Sequence, residues 1–177
     1  MESPPKRKTI RLRGANYSTE AVYFLTFCTK DRKCILSRIE ENDDASVALT
    51  RYGNVVDKYI KEMSNFYDNL SVEAYVIMPN HVHILLYVKD KGDPPKSELS
   101  GICGPSGTPV PTAKNSVVSR FLSTLKRFCN KEFGENIWQG RSYDHIIRNG
   151  RDYDEHLRYI LLNPARWRSD ELFSWCE

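Results

Sequence analysis

The chain has 177 residues, 40% hydrophobic and 28% charged, with a formal net charge of +3. Such a length can bury a core without disulfides or a structural metal, and it suits one domain over residues 1–177. No stretch reaches the ~18 apolar residues of a membrane span, and the opening Met-Glu-Ser-Pro-Pro-Lys-Arg-Lys lacks the apolar stretch of a signal peptide, so a cytoplasmic protein with no membrane partner is expected. The charge is unevenly spread: five basic residues against one acidic over 1–13, eight against three over 114–151, and seven acidic against four basic over 38–68. That asymmetry suggests one face for an anionic polymer, with an ordinary mixed surface as the alternative. The five cysteines are scattered without a CxxC pair. Their spacing suggests neither a zinc knuckle nor a disulfide framework, and Cys28 and Cys129 read as small core fillers.

In chain order, residues 1–20 read as a basic, Pro-containing arm. The β-branched and aromatic run 22–29 predicts a first strand. Asp43, Asp44 and Ser46 offer helix-start chemistry, and Tyr52, Val55, Val56, Tyr59, Ile60 and Met63 recur at helical spacing behind them. Two strands, 72–78 and 81–88, follow around a Pro79-Asn80 break. Residues 90–112, rich in Pro, Gly, Ser and Lys, read as a long loop or insertion extending to about 114. Asn115 or Ser116 can cap a second helix with the stripe Val117, Val118, Phe121, Leu122, Leu125 and Phe128. A fourth strand is expected over 142–148, and a last helix from Asp152 to Leu162 that stops near Asn163-Pro164. The order β-α-β-β-α-β-α begins as the split βαβ, ferredoxin-like fold. An α+β protein is therefore expected, with a four-stranded antiparallel sheet, two helices on one face and a further C-terminal helix.

The hairpin carries the most chemistry. Residues i and i+2 of a strand share a face, so His81 and His83 project together while Val82, Ile84, Leu86 and Val88 point the other way. Two imidazoles side by side are half of a metal site, a proton-transfer pair, or a hydrogen-bonded pair in the core. On the last helix, Tyr153, Leu157, Ile160 and Leu161 form an apolar stripe. Asp152, His156, Tyr159 and Asn163 line up beside it at spacings of 4, 3 and 4. The wheel allows Tyr159 and Asn163 to face a common site. It equally allows a packed tyrosine and a helix-end amide bonded to local backbone.

Pro79-Asn80-His81-Val82-His83 resembles the His-hydrophobic-His signature of the HUH nucleases. Ile137-Trp138-Gln139, Tyr143-Asp144-His145-Ile146-Ile147-Arg148-Asn149, Tyr159-Ile160 and Asn163-Pro164-Ala165-Arg166-Trp167 resemble the REP-associated tyrosine transposases, over a span from about Thr26 to Trp167. The resemblance implies a ferredoxin-like core, metal-binding roles for His81, His83 and Asn163, and Tyr159 as nucleophile. It also implies single-stranded, hairpin-forming palindromic DNA as substrate.

The chemistry suits these residue types. Two neutral imidazoles and an amide oxygen can hold a divalent ion, Mg²⁺ or Mn²⁺, with positions left open for the scissile phosphate. A free phenol titrates near pH ~10, so Tyr159 needs assistance, and His156 is a candidate accessory base. Attack by tyrosine leaves a 5′-phosphotyrosine and a free 3′-hydroxyl, and the retained bond energy permits rejoining. Lys126, Arg127, Lys131, Arg141 and Arg148, with Arg11 and Arg13 of the arm, are candidates for phosphate contacts, and Trp138 for base stacking, with a solvated helix face and a core indole as the alternatives. The alternatives are a domesticated hairpin DNA or RNA binder that no longer cuts, and a metal-independent phosphoesterase using the histidines as acid and base. The sequence is compatible with a monomer or a homodimer, and with a tyrosine serving its own chain or a partner.

Overall fold

The computed structural model describes residues 20–40, 45–89 and 116–176. The expected arm, with Arg11 and Arg13, and the expected insertion at 90–114 lie outside them, as do Asp43, Asp44 and Asn115. The main sheet is built from β1 (Ala21–Thr29), β4 (Leu70–Ile77), β5 (His81–Val88) and β6 (Trp138–Ile147), in the order β4-β5-β1-β6, with every neighbouring pair antiparallel. The helices are α1 (Arg51–Glu62), α2 (Val117–Phe133) and α3 (Gly150–Leu162). This is the α+β, split βαβ arrangement that the element order predicts.

Strand alternation sorts the core into two layers. Tyr23, Leu25 and Phe27 of β1 and Val82, Ile84, Leu86 and Val88 of β5 meet Val56 and Ile60 of α1 and Phe121, Leu125 and Cys129 of α2. The opposite face presents Phe24, Val76 and Leu85 to Ile160 of α3 and to Trp167, in the turn that follows. The tyrosine-bearing helix therefore covers the face left free by the other two. Its stripe is narrower than the wheel suggests: Ile160 is buried, but Leu161 is 68% exposed.

Two predicted features differ. Ser46 starts no helix; it opens β3 (Ser46–Leu49), which pairs with β2 (Ser37–Glu40) in a separate two-stranded ribbon. The cap of α1 is Thr50, whose hydroxyl accepts from the Gly53 N–H at 3.2 Å. The fourth sheet strand begins at Trp138 rather than 142, because its register against β1 shifts between Phe27 and Thr29 and lets the pairing run on to Thr29–Trp138. Ser116 caps α2 as expected, accepting from the Ser119 N–H at 3.1 Å.

Beyond α3 the chain turns through Pro164–Ser169 and runs back across the start of the hairpin. The Asn80 amide donates to the Leu172 carbonyl at 2.9 Å and to Ser174 Oγ at 2.8 Å, and Cys34 and Cys176 are joined by a disulfide that the cysteine spacing does not announce. No helix among the described residues is long and apolar enough to cross a membrane.

Candidate active site

His81 and His83 project from β5 onto the α3 face, both buried, with ring centroids 4.5 Å apart. Each ring is anchored through Nδ1: His81 to Asn80 Oδ1 and His83 to Thr26 Oγ1, both at 2.7 Å. The Asn80 amide spends its N–H groups on Leu172 and Ser174, so its oxygen faces His81 and requires the proton on Nδ1. His81 Nε2 is thereby left as a lone pair, the arrangement by which an outer partner prepares a metal-binding imidazole. Burial is the main reason both rings are held neutral, with His81 brought down to about 4 and His83 well below the ordinary histidine range.

Tyr159 and Asn163 arrive from α3, one turn apart. The Tyr159 ring lies 5.1 Å from the His83 ring of its own chain, at a steep angle. The Asn163 amide nitrogen donates to Asp170 Oδ2 at 2.9 Å. This leaves three buried polar atoms of the site without a hydrogen-bond partner: His81 Nε2, His83 Nε2 and Asn163 Oδ1. His81 Nε2 and Asn163 Oδ1 carry free lone pairs, and His83 Nε2 does so in the tautomer whose Nδ1–H donates to Thr26; the three atoms belong to the residues expected to hold a metal. An unsatisfied buried polar atom is costly, so a cation is the species that fits this donor set.

Asp170 is the residue that sequence reasoning missed. It lies beyond the Asn163-Pro164 break, in a segment without helical or strand periodicity, and no spacing points to it. Its carboxylate comes within 4.8 Å of donor atoms of both His81 and His83, close enough to join them around an ion. It also accepts from the Tyr159 hydroxyl at 2.8 Å. Burial alone would raise its pKa, but hydrogen bonds from the Leu172 N–H, Asn163 and Tyr159 hold the carboxyl below its ordinary value. Tyr159 moves the opposite way: burial first, then the adjacent carboxylate, pushes the phenol well above its usual range.

A cleft of about 810 Å³ opens over these groups, lined by His83, Tyr143, His156, Tyr159, Asn163 and Asp170 among others. His156 thus reaches the same space as the phenol. Its Nδ1 donates to the Asp152 backbone carbonyl at 2.8 Å, which leaves Nε2 as the acceptor. The His145 ring stacks against it at 4.9 Å and bonds the Asp152 carboxylate at 3.0 Å. His145, Asp152 and His156 could also gather around an ion. Their atoms are already bonded to one another, unlike those of the first cluster.

The residues expected to contact DNA are less concentrated. Trp138 is 3% exposed and packs against Phe27 at 5.0 Å, so it is a core indole and offers no open ring for a base. The Lys126 amine donates to the Gln139 carbonyl at 2.9 Å, and burial brings its pKa down to about 8, so it is not a free phosphate contact. Arg127 and Lys131 are exposed on α2, in the helix layer across the sheet from the cleft. Arg141 and Arg148 are exposed on the edge strand β6 and just past it. Arg166, absent from the expected set, lines the cleft itself.

The split βαβ sheet thus brings the Tyr159 phenol against the His83 imidazole, which stands beside that of His81. No family model matches the chain. A Haemophilus influenzae protein of uncharacterized function is 31% identical over 172 residues, covering 94% of this chain and 93% of that one. The REP-associated tyrosine transposase of Escherichia coli is 27% identical over 95 residues, 54% of this chain and 44% of that relative. The solved structure of a REP-associated tyrosine transposase bound to a REP hairpin superposes with a TM-score of 0.57 at 21% identity, covering 93% of this chain and 74% of that one. The chain is thus similar to REP-associated tyrosine transposases in sequence and in fold.

Proposed function

We propose that this protein cuts and rejoins single-stranded, hairpin-forming DNA, with Tyr159 as nucleophile and a divalent ion, Mn²⁺ or Mg²⁺, held by His81, His83 and Asn163, with Asp170 as a further ligand. The observation that carries the reading is the gathering of His81, His83 and Asp170 donor atoms within 4.8 Å of one another, with both imidazole Nε2 atoms and Asn163 Oδ1 unpartnered and the His83 ring beside the phenol of the same chain. A REP hairpin bound to a solved relative supports the choice of substrate. When bound, the ion would supply charge neutralisation at the scissile phosphate.

The chain's own groups account for the rest. The Tyr159 hydroxyl donates to Asp170 Oδ2, so its proton has a path out as Oη bonds to phosphorus. The bond from phosphorus to the 3′ oxygen breaks, and that oxygen leaves with a proton from solvent. His156, which lines the same cleft, offers a second acceptor for the phenol proton. The products are a 5′-phosphotyrosine and a free 3′-hydroxyl. A returning 3′-hydroxyl reverses the step and reseals the strand without ATP. Arg166, which lines the cleft, is the cation placed to meet a phosphate there, and Arg141 and Arg148 are exposed cations at the β6 edge of the sheet.

The test is incubation with hairpin oligonucleotides taken from the DNA flanking the gene, under Mn²⁺, followed by denaturing electrophoresis. Wild-type protein is expected to form a covalent adduct. Tyr159→Phe is expected to form none while binding the hairpin with nearly unchanged affinity. Binding by the wild type without any adduct would favour the domesticated, non-cleaving binder instead.

A further inference from the structure

Trp138 cannot serve as a stacking platform, and the same strand offers a replacement. Thr26 of β1 pairs with His83 on one side and with Tyr143 of β6 on the other. Residues paired across an antiparallel sheet share a face, and neighbouring strands lie ~4.8 Å apart, so Tyr143 stands on the site face about 10 Å from the imidazole. The residue is 39% exposed. Among the described residues the other large apolar side chains open to solvent are Tyr159, Leu161, Leu162 and Trp175. Of these five, only Tyr143 and Tyr159 line the cleft, and Asp170 holds the Tyr159 hydroxyl.

We propose that Tyr143 is the platform on which the base next to the scissile phosphate stacks. The inference rests on the reading of the cleft as a strand-cutting site. A strand whose phosphate sits beside His83 and Tyr159 must lead its neighbouring nucleotide away along the open face. The row His83, Thr26, Tyr143 leads from the reacting centre to an exposed aromatic ring at the sheet edge. Every base has a π-face, so a phenol ring there holds the strand without selecting its sequence. Arg166, in the same cleft, is the cation available to an adjoining phosphate. The ordinary role of such a tyrosine is cross-strand contact with Thr26, which requires no ligand and predicts no change in DNA binding.

The two roles separate in a fluorescence experiment. The probe is a hairpin oligonucleotide from the gene's flanks with 2-aminopurine placed at each single-stranded position in turn. It is bound to protein carrying Tyr159→Phe, so that nothing is cut. Stacking on Tyr143 is expected to quench one position. In the added presence of Tyr143→Leu, that quenching is expected to vanish and affinity to fall roughly 5- to 150-fold, while the salt dependence of binding stays the same because no phosphate contact is lost. Tyr143→Phe keeps the ring and is expected to keep the quenching. Arg166→Ala, in contrast, should lower the salt slope by about 0.7. Unchanged quenching and affinity in a folded Tyr143→Leu protein would overturn this proposal alone. Failure of the wild type to bind any of the oligonucleotides would overturn the strand-cutting reading and this proposal with it.

Discussion

The two hairpin histidines are arranged to be neutral before any ion arrives, and this has measurable consequences. Burial lowers His81 from the ordinary 6.5 to about 4. Between those values the unfolded chain takes up a proton that the folded protein refuses, so folding stability must fall as pH drops across that window. In metal-free protein the urea midpoint is expected to decline from pH 6.5 toward 4, and His81→Gln to flatten that decline. A midpoint indifferent to pH would contradict the burial of the ring. The same neutrality predicts that Mn²⁺ binding releases few protons from the imidazoles. Calorimetry in buffers of different ionisation enthalpy should therefore give nearly equal heats, and the double variant His81→Ala, His83→Ala should give almost none.

At the scale of elements, the start of α1 shows how tightly the accessory ribbon is joined to that helix. Besides capping the helix, Thr50 donates its hydroxyl toward the carbonyls of Ile35 and Leu36. One turn into the helix, a Cβ added at Gly53 would collide with the Leu36 carbonyl, which is backbone and has little room to yield. Gly53→Ala is expected to destabilise the protein by about 1–3 kcal/mol through overpacking, read as a shift of the urea midpoint with unchanged m-value. Elements of this kind escape the sequence. Ser37–Glu40 and Ser46–Leu49 are short and only partly buried, so they lack the sustained alternation that marks β1 and β5. The acids between them imitate a helix start instead. The hairpin histidines and α3 were legible because strand and helix periods fix which side chains share a face. Thr26 and Tyr143 required the cross-strand register, which no local pattern carries. Trp138 is decided by the same register: its pairing with Thr29 turns it into the core, which selects the core indole over the stacking platform.

For the molecule as a whole, the sheet divides labour between its faces. One face, under α1 and α2, carries the larger core, and the other, under α3, carries the candidate chemistry. The segment that supplies Asp170 is secured at its far end by the Cys34–Cys176 disulfide, which spans 142 residues of sequence. A crosslink closing so long a loop is expected to stabilise the fold by roughly 2–5 kcal/mol. Urea unfolding with and without dithiothreitol, or of Cys176→Ser, measures it. Coincident midpoints would mean that the disulfide adds nothing beyond the hydrogen bonds from Asn80.

Those hydrogen bonds give Asn80 a double duty. Its nitrogen grips the Leu172 carbonyl, 92 residues further along the chain, and its oxygen dictates where the His81 proton resides. One planar amide therefore reports the position of the terminal segment to the imidazole. Were that segment drawn away, the amide would be free to turn over and offer its N–H group to the ring. The proton of His81 would then migrate to the other nitrogen, and the lone pair that could serve an ion would be extinguished without the ring having moved.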